Sequence, residues 1–145
     1  VKWIDRRLIT DVDKASVDEV LASGLAVVEA GGEYPDSIIY VNYHYTTRPP
    51  DLFDNLIMES QYKGFDTVFP GYKDFGHYWY QNENMDFIEI DPSMSLRDER
   101  TPVIKALYGL GCLTSSTVLR RNKMIGGKVG ILEVKDIRMT INLKN

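Results

Sequence analysis

The sequence predicts a single α/β domain with a mixed sheet, and three observations carry that prediction. In the first half, helical and β-branched segments alternate with short connections, the order expected of strand–helix–strand crossovers. In the second half the pattern changes to a hairpin and several short strands, so parallel and antiparallel pairing should meet in one sheet. The composition is that of one globular domain: 145 residues, 43% apolar and 26% charged, with 11 Gly and 6 Pro that punctuate elements instead of clustering into a linker. Residues 1–145 are therefore expected to form one unit.

The elements follow in order. Ser16-Val17-Asp18-Glu19 fits a capping box, in which the serine hydroxyl satisfies a free helix amide and the glutamate reaches back. Val17, Val20, Leu21, Leu25 and Val28 recur at helical spacing until Gly31-Gly32 supplies a stop. Residues 38–43 form a β-branched and aromatic run without polar alternation, the pattern of a parallel strand covered on both faces. Pro50 and Asp51 suit the first turn of a second helix that runs through Leu52, Phe53, Leu56 and Ile57 to Gly64. Residues 66–69 read as another short buried strand. A hairpin is expected from 78–82 and 86–90 around Asn82-Glu83-Asn84, with Asp91-Pro92-Ser93 breaking its second arm. Residues 109–119, 128–134 and 139–143 then read as three further strands.

Charge and composition exclude several classes. Seventeen basic against 21 acidic residues give a net charge of −4, so general attraction to a polyanion is lacking and nucleic acid is not an expected partner. No apolar run approaches the ~20 residues of a membrane span, and no signal peptide is recognisable. The lone Cys112 lies in an apolar run where packing is favoured over reactivity. A cytoplasmic protein is the simplest expectation. The chain begins at Val1, a start that fits a processed, renumbered or truncated product.

The phosphate loop, the dinucleotide-binding glycine fingerprint, paired-cysteine zinc spacing and the nucleophile elbow are all missing. His44 and His77 have no nearby His or Cys with which to chelate a metal, which favours a structural or substrate-contact role over catalysis. Residues 42–48, Asn-Tyr-His-Tyr-Thr-Thr-Arg, follow a strand and lead into a helix, where open α/β sheets gather ligand-binding loops; a solvated loop is the plain alternative. Arg120, Arg121, Lys123 and Lys128 could meet phosphate, although a basic turn is more often a solvated face. The mixed-charge stretch 96–102 either turns an arginine toward an anion or forms surface ion pairs of little energetic worth.

Read in order, these pieces resemble the later part of an acylneuraminate cytidylyltransferase, the CMP-sialic acid synthetase family. Ala15-Ser16 precedes a helix as in that family; Gly64-Phe65-Asp66-Thr67-Val68 is similar to its Gly-Ala-Asp-Ser-Val strand, and His77-Tyr78-Trp79 to its His-Pro-Tyr-Trp stretch. Gly126-Gly127-Lys128-Val129-Gly130 is the closest match. The resemblance covers residues 15–142 and implies a partial nucleotidyltransferase-like, Rossmann-like layered fold with a dimerisation hairpin at about 72–106. It also implies CMP transfer from CTP to a nonulosonic acid with Mg²⁺, in a homodimer. Arg48 and Arg97 would hold the sugar carboxylate or phosphate, and Asn42 would fix hydroxyls; no catalytic base and no metal ligand is assigned.

The departures set limits on that activity. Where the family has Leu-Gln-Pro-Thr-Ser-Pro-Leu-Arg, residues 41–48 keep only Arg48. The family's Arg-Arg-Gln-Asp-Leu-Pro loop reads Arg97-Asp98-Glu99-Arg100-Thr101-Pro102, so an acidic sugar would meet less positive charge. The metal-engaging Ile-Asp-Ile-Asp aligns with Met139-Thr140-Ile141-Asn142, where both acids are replaced. The strand and phosphate-holding loop at the family's front have no counterpart, so Mg²⁺ and CTP are doubtful ligands. A homodimer or a complementing front-half chain is expected to cover the exposed sheet flank. Two functions follow: a cytidylyltransferase-like chain inactive by itself, or a non-catalytic sugar-binding or assembly module.

Overall fold

The structure is a computed structural model that describes residues 4–5, 14–91 and 94–135. Helix α1 (Val17–Ala30) starts at the capping box: the Ser16 hydroxyl accepts the Glu19 N–H at 3.3 Å, and the Glu19 carboxylate accepts the Ser16 N–H at 2.8 Å. It stops at Gly31, as the glycine pair predicts. Then come β1 (Ser37–Tyr40), α2 (Leu52–Lys63), β2 (Thr67–Asp74), β3 (Trp79–Gln81) and β4 (Phe87–Glu89). The described chain ends with β5 (Val103–Ala106), β6 (Cys112–Ser115), α3 (Ser116–Leu119) and β7 (Val129–Glu133).

The main sheet is mixed, as expected, with the order β1-β6-β2-β5 and with β7 parallel to β2 on its other side. The expected parallel, doubly covered strand at 38–43 is corrected. β1 ends at Tyr40, is half-exposed and pairs antiparallel with β6, from Ser37 opposite Ser115 to Tyr40 opposite Cys112. An unbroken apolar run states that a segment is extended but not which neighbour it takes, and here that neighbour comes from some 75 residues later in the chain. Because β1 and β2 are both antiparallel to β6, they run in the same direction, and α2 carries the chain between them across the inserted strand.

The expected long strand at 109–119 is also corrected. β6 occupies only its middle, a turn covers 108–110, and the end becomes α3. Ser115 caps that helix by accepting the Val118 N–H, and the Ser116 hydroxyl donates to the Pro35 carbonyl. Serine side chains thus offer the backbone an alternative to the ladder. Upstream, β5 and β6 lie along one edge of β2, opposite residues 71–74 and 67–68, and residues 107–111 bow out between them. Pro70 sits at this gap. Its carbonyl accepts the Leu107 N–H at 2.8 Å, so its donor-less nitrogen faces the bow, where no ladder bond is lost.

Helix α2 begins at Leu52 instead of Pro50, and Asp51 enters it at φ 57° without a side-chain cap. The prolines at 49 and 50 hold the incoming chain extended, so the reversal falls on Asp51, a residue type that tolerates the left-handed region. Side chains alternate across the sheet. Val68 and Leu113 pack with Leu52 and Leu56 of α2 on one face, while Phe69 and Cys112 pack with Met124 and Leu21 of α1 on the other. The result is helix, sheet, helix. The hairpin forms as expected, with Trp79 opposite Glu89 and Gln81 opposite Phe87, and the Asn82 side chain accepts the Asn84 and Asp86 N–H groups across the turn. The strand expected at 139–143 lies outside the described residues, as do Pro92 and Ser93.

Candidate functional site

The carboxyl end of β1 runs straight into the bowed segment 107–111, and the two are tied together. The Asn42 N–H donates to the Gly109 carbonyl at 2.9 Å, and the Tyr45 N–H donates back to the Asn42 carbonyl at 3.2 Å, closing a turn. Inside the turn the Asn42 side-chain oxygen accepts the His44 N–H at 2.9 Å, and its amide nitrogen reaches the Tyr40 hydroxyl at 3.4 Å. The Tyr45 ring lies against Gly109 so closely that a Cβ there would collide with it. Glycine at 109 is therefore a contact requirement.

Arg48 locks this corner. Its Nε donates to the Leu110 carbonyl at 2.8 Å and a terminal nitrogen to the Asn42 carbonyl at 2.9 Å. The guanidinium that the resemblance assigns to an anionic sugar thus holds two backbone carbonyls, one from each side of the junction. Arg97 lies elsewhere, in a 3-10 turn spanning Arg97–Glu99, with its guanidinium 5.7 Å from the centre of the Phe75 ring. Of the three sequence-proposed contacts, only Asn42 lines the cleft that forms here.

That cleft has a volume of about 340 Å³, which falls at the low end of the range for small-molecule sites. Tyr40, Asn42, His44, Tyr45, Tyr108 and Met124 supply most of its wall. Tyr108 is 37% exposed and braced edge-on by Phe69, with ring centres 4.7 Å apart; Tyr43 stacks at a tilt on His44 at 4.1 Å. Tyr40, Tyr108 and Met124 were not singled out from sequence. Turn signals in Tyr108-Gly109-Leu110-Gly111 could have broken the expected long strand and exposed Tyr108 as a loop residue.

Several of the other sequence candidates are absorbed into structure. Arg120 pairs with Glu29, which raises the Arg120 pKa. Lys128 donates from Nζ to the Lys63 carbonyl and lies 4.9 Å from the centre of the Phe65 ring. His77 approaches Glu89 at 3.5 Å across the foot of the hairpin. Cys112 is fully buried, and burial pushes its thiol up to about 11, against a smaller opposing effect of the Thr114 hydroxyl; such a thiol is a packing group and a poor nucleophile.

Among the described residues no group of three or more His, Cys, Asp or Glu side chains converges to hold a metal ion. The cleft itself offers phenol, amide, imidazole and thioether groups, which do not suit a hard divalent cation such as Mg²⁺. No helix among the described residues is long and apolar enough to cross a membrane. No family model matches the chain, and no curated protein matches it.

Proposed function

We propose that the chain is a sugar-recognition unit of cytidylyltransferase-like descent that does not transfer CMP by itself. The observation that carries this reading is the cleft at the carboxyl end of β1, where aromatic side chains, an oriented amide and an imidazole border a space of monosaccharide size. Tyrosine and histidine rings offer apolar surface to the C–H faces of a pyranose, and phenol and amide groups exchange hydrogen bonds with its hydroxyls. The descent is supported by contact between two of the stretches that carry the resemblance. The Asp66 carboxylate accepts the Lys128 N–H at 2.8 Å, and the Thr67 hydroxyl donates to the Gly126 carbonyl at 2.8 Å. A mixed sheet and a hairpin placed between β2 and β5 support it further.

The chemistry of the cleft wall does not suit Mg²⁺, so no transfer step is assigned to these residues. Sugar titration followed by amide and side-chain NMR tests the reading. Shifts should concentrate on residues 40–45 and 108–109, while an Mg²⁺-dependent pyrophosphate-release assay with CTP and a nonulosonic acid stays silent. Turnover by the chain on its own would overturn the non-transferring role. A complementing front-half chain is the second reading, favoured by the half-exposed β1 at the end of the described sheet. CTP consumption restored on mixing with such a fragment would select it.

A further inference from the structure

Resting on that reading, we infer that the cleft is selective for an uncharged sugar and discriminates against a sugar acid. The cleft wall places Tyr40, Asn42, His44, Tyr45, Tyr108 and Met124 around the ligand space, and among the described residues neither Lys nor Arg lines it. An anion entering such a site loses hydration without gaining a cation, an exchange that disfavours the charged form. The nearest arginine in sequence cannot supply the charge without dismantling the site. Arg48 holds the Leu110 and Asn42 carbonyls, and those two bonds keep the turn and the bowed segment in place. It borders a separate depression, shared with Asp51 and Asp54.

A carboxylate adjoins the cleft wall. Asp18 follows Val17, a residue of the cleft wall, and its carboxylate accepts the N–H of Met124, another wall residue. An anionic ligand seated against this wall gains nothing from that carboxylate. A neutral ring meets none of these penalties. The aromatic surfaces and the Tyr and Asn polar groups still match its C–H and hydroxyl groups.

The test uses pairs of probes that differ by one charge and one methyl group: N-acetylneuraminic acid with its methyl ester, and glucuronic acid with methyl glucuronate. Each is titrated into the full chain at neutral pH, with affinity from calorimetry and location from NMR. The expected result is that the ester of at least one pair binds at residues 40–45 and 108–109, with its free acid at least about tenfold weaker. Tyr108→Phe, which keeps the ring against Phe69 and removes only the hydroxyl, should weaken the ester about threefold or more while the thermal midpoint stays unchanged. Equal or tighter binding of the acids at these residues would overturn the selectivity and leave sugar recognition standing. Absence of binding by both members of both pairs, or binding elsewhere on the chain, would overturn the selectivity and the sugar-recognition reading together.

Discussion

Arg48 shows how a side chain suited to anion binding becomes a structural part. A guanidinium is planar and carries several donors in a fixed fork, and here the fork spans the carbonyls of Asn42 and Leu110. Each is a charge-assisted bond in a half-buried place, so losing them leaves acceptors poorly satisfied. Arg48→Ala should lower the unfolding free energy by about 1.5–3 kcal/mol, read from urea denaturation, and should broaden the NMR signals of residues 107–111. A change confined to ligand affinity, with stability untouched, would return Arg48 to the binding role that sequence resemblance gave it. Asn42 is legible from sequence because its position after a strand is local information. The new role of Arg48 is not, since one partner carbonyl lies 62 residues away.

At the scale of elements, the foot of the hairpin is a titratable junction. The Tyr78 hydroxyl, first, and the Gly76 N–H, second, hold the Asp74 carboxyl below its ordinary 3.8. The same bond pushes Tyr78 up to about 12. Asp74 is more acidic in the folded state than in the unfolded one. Its link is therefore complete above the ordinary carboxylate range and fades as pH falls through the lowered value. Tyr78 works in the opposite direction: its contribution is complete below pH 10 and fades as pH rises toward 12. The NMR signals of Trp79 and Tyr78 should move in acid, below pH ~4, and Asp74→Asn should flatten that acid limb. An unchanged acid limb in the variant would show that Asp74 does not hold the hairpin foot. The hairpin itself was legible from sequence because pairing across a short turn is local. The division of residues 109–119 into turn, strand and helix was missed because apolar periodicity over a short window fits both strand and helix.

At the scale of the whole molecule, the described fold leaves a small two-stranded sheet projecting between β2 and β5 with apolar side chains in water. Trp79 is 57% exposed, Phe87 70% and Ile90 52%. A lone two-stranded hairpin is marginal in water, and exposed aromatic and aliphatic groups on both its faces make it a candidate for covering by a partner. The homodimer that the family resemblance implies would set a second copy of the chain against this hairpin. Sedimentation velocity should accordingly show a dimer, and Phe87→Lys, at an exposed position, should raise the dissociation constant by about tenfold or more. A wild-type chain that stays monomeric at 100-fold dilution steps up to about millimolar concentration would remove the hairpin from any self-association.

The sequence by itself determined what depends on neighbours in the chain: the capping box that starts α1, the glycines that stop both long helices, the hairpin, and the β7 segment. It also determined that the domain is α/β with a mixed sheet. Only the tertiary structure decided that β6 is inserted between β1 and β2, that Arg48 serves the backbone, and that Tyr40, Asn42, His44 and Tyr108 share one cleft. The reason is physical. Caps and turns are satisfied within a few residues, whereas strand partners and the donors for a bowed loop's carbonyls are supplied from distant parts of the chain, and folding alone brings them together.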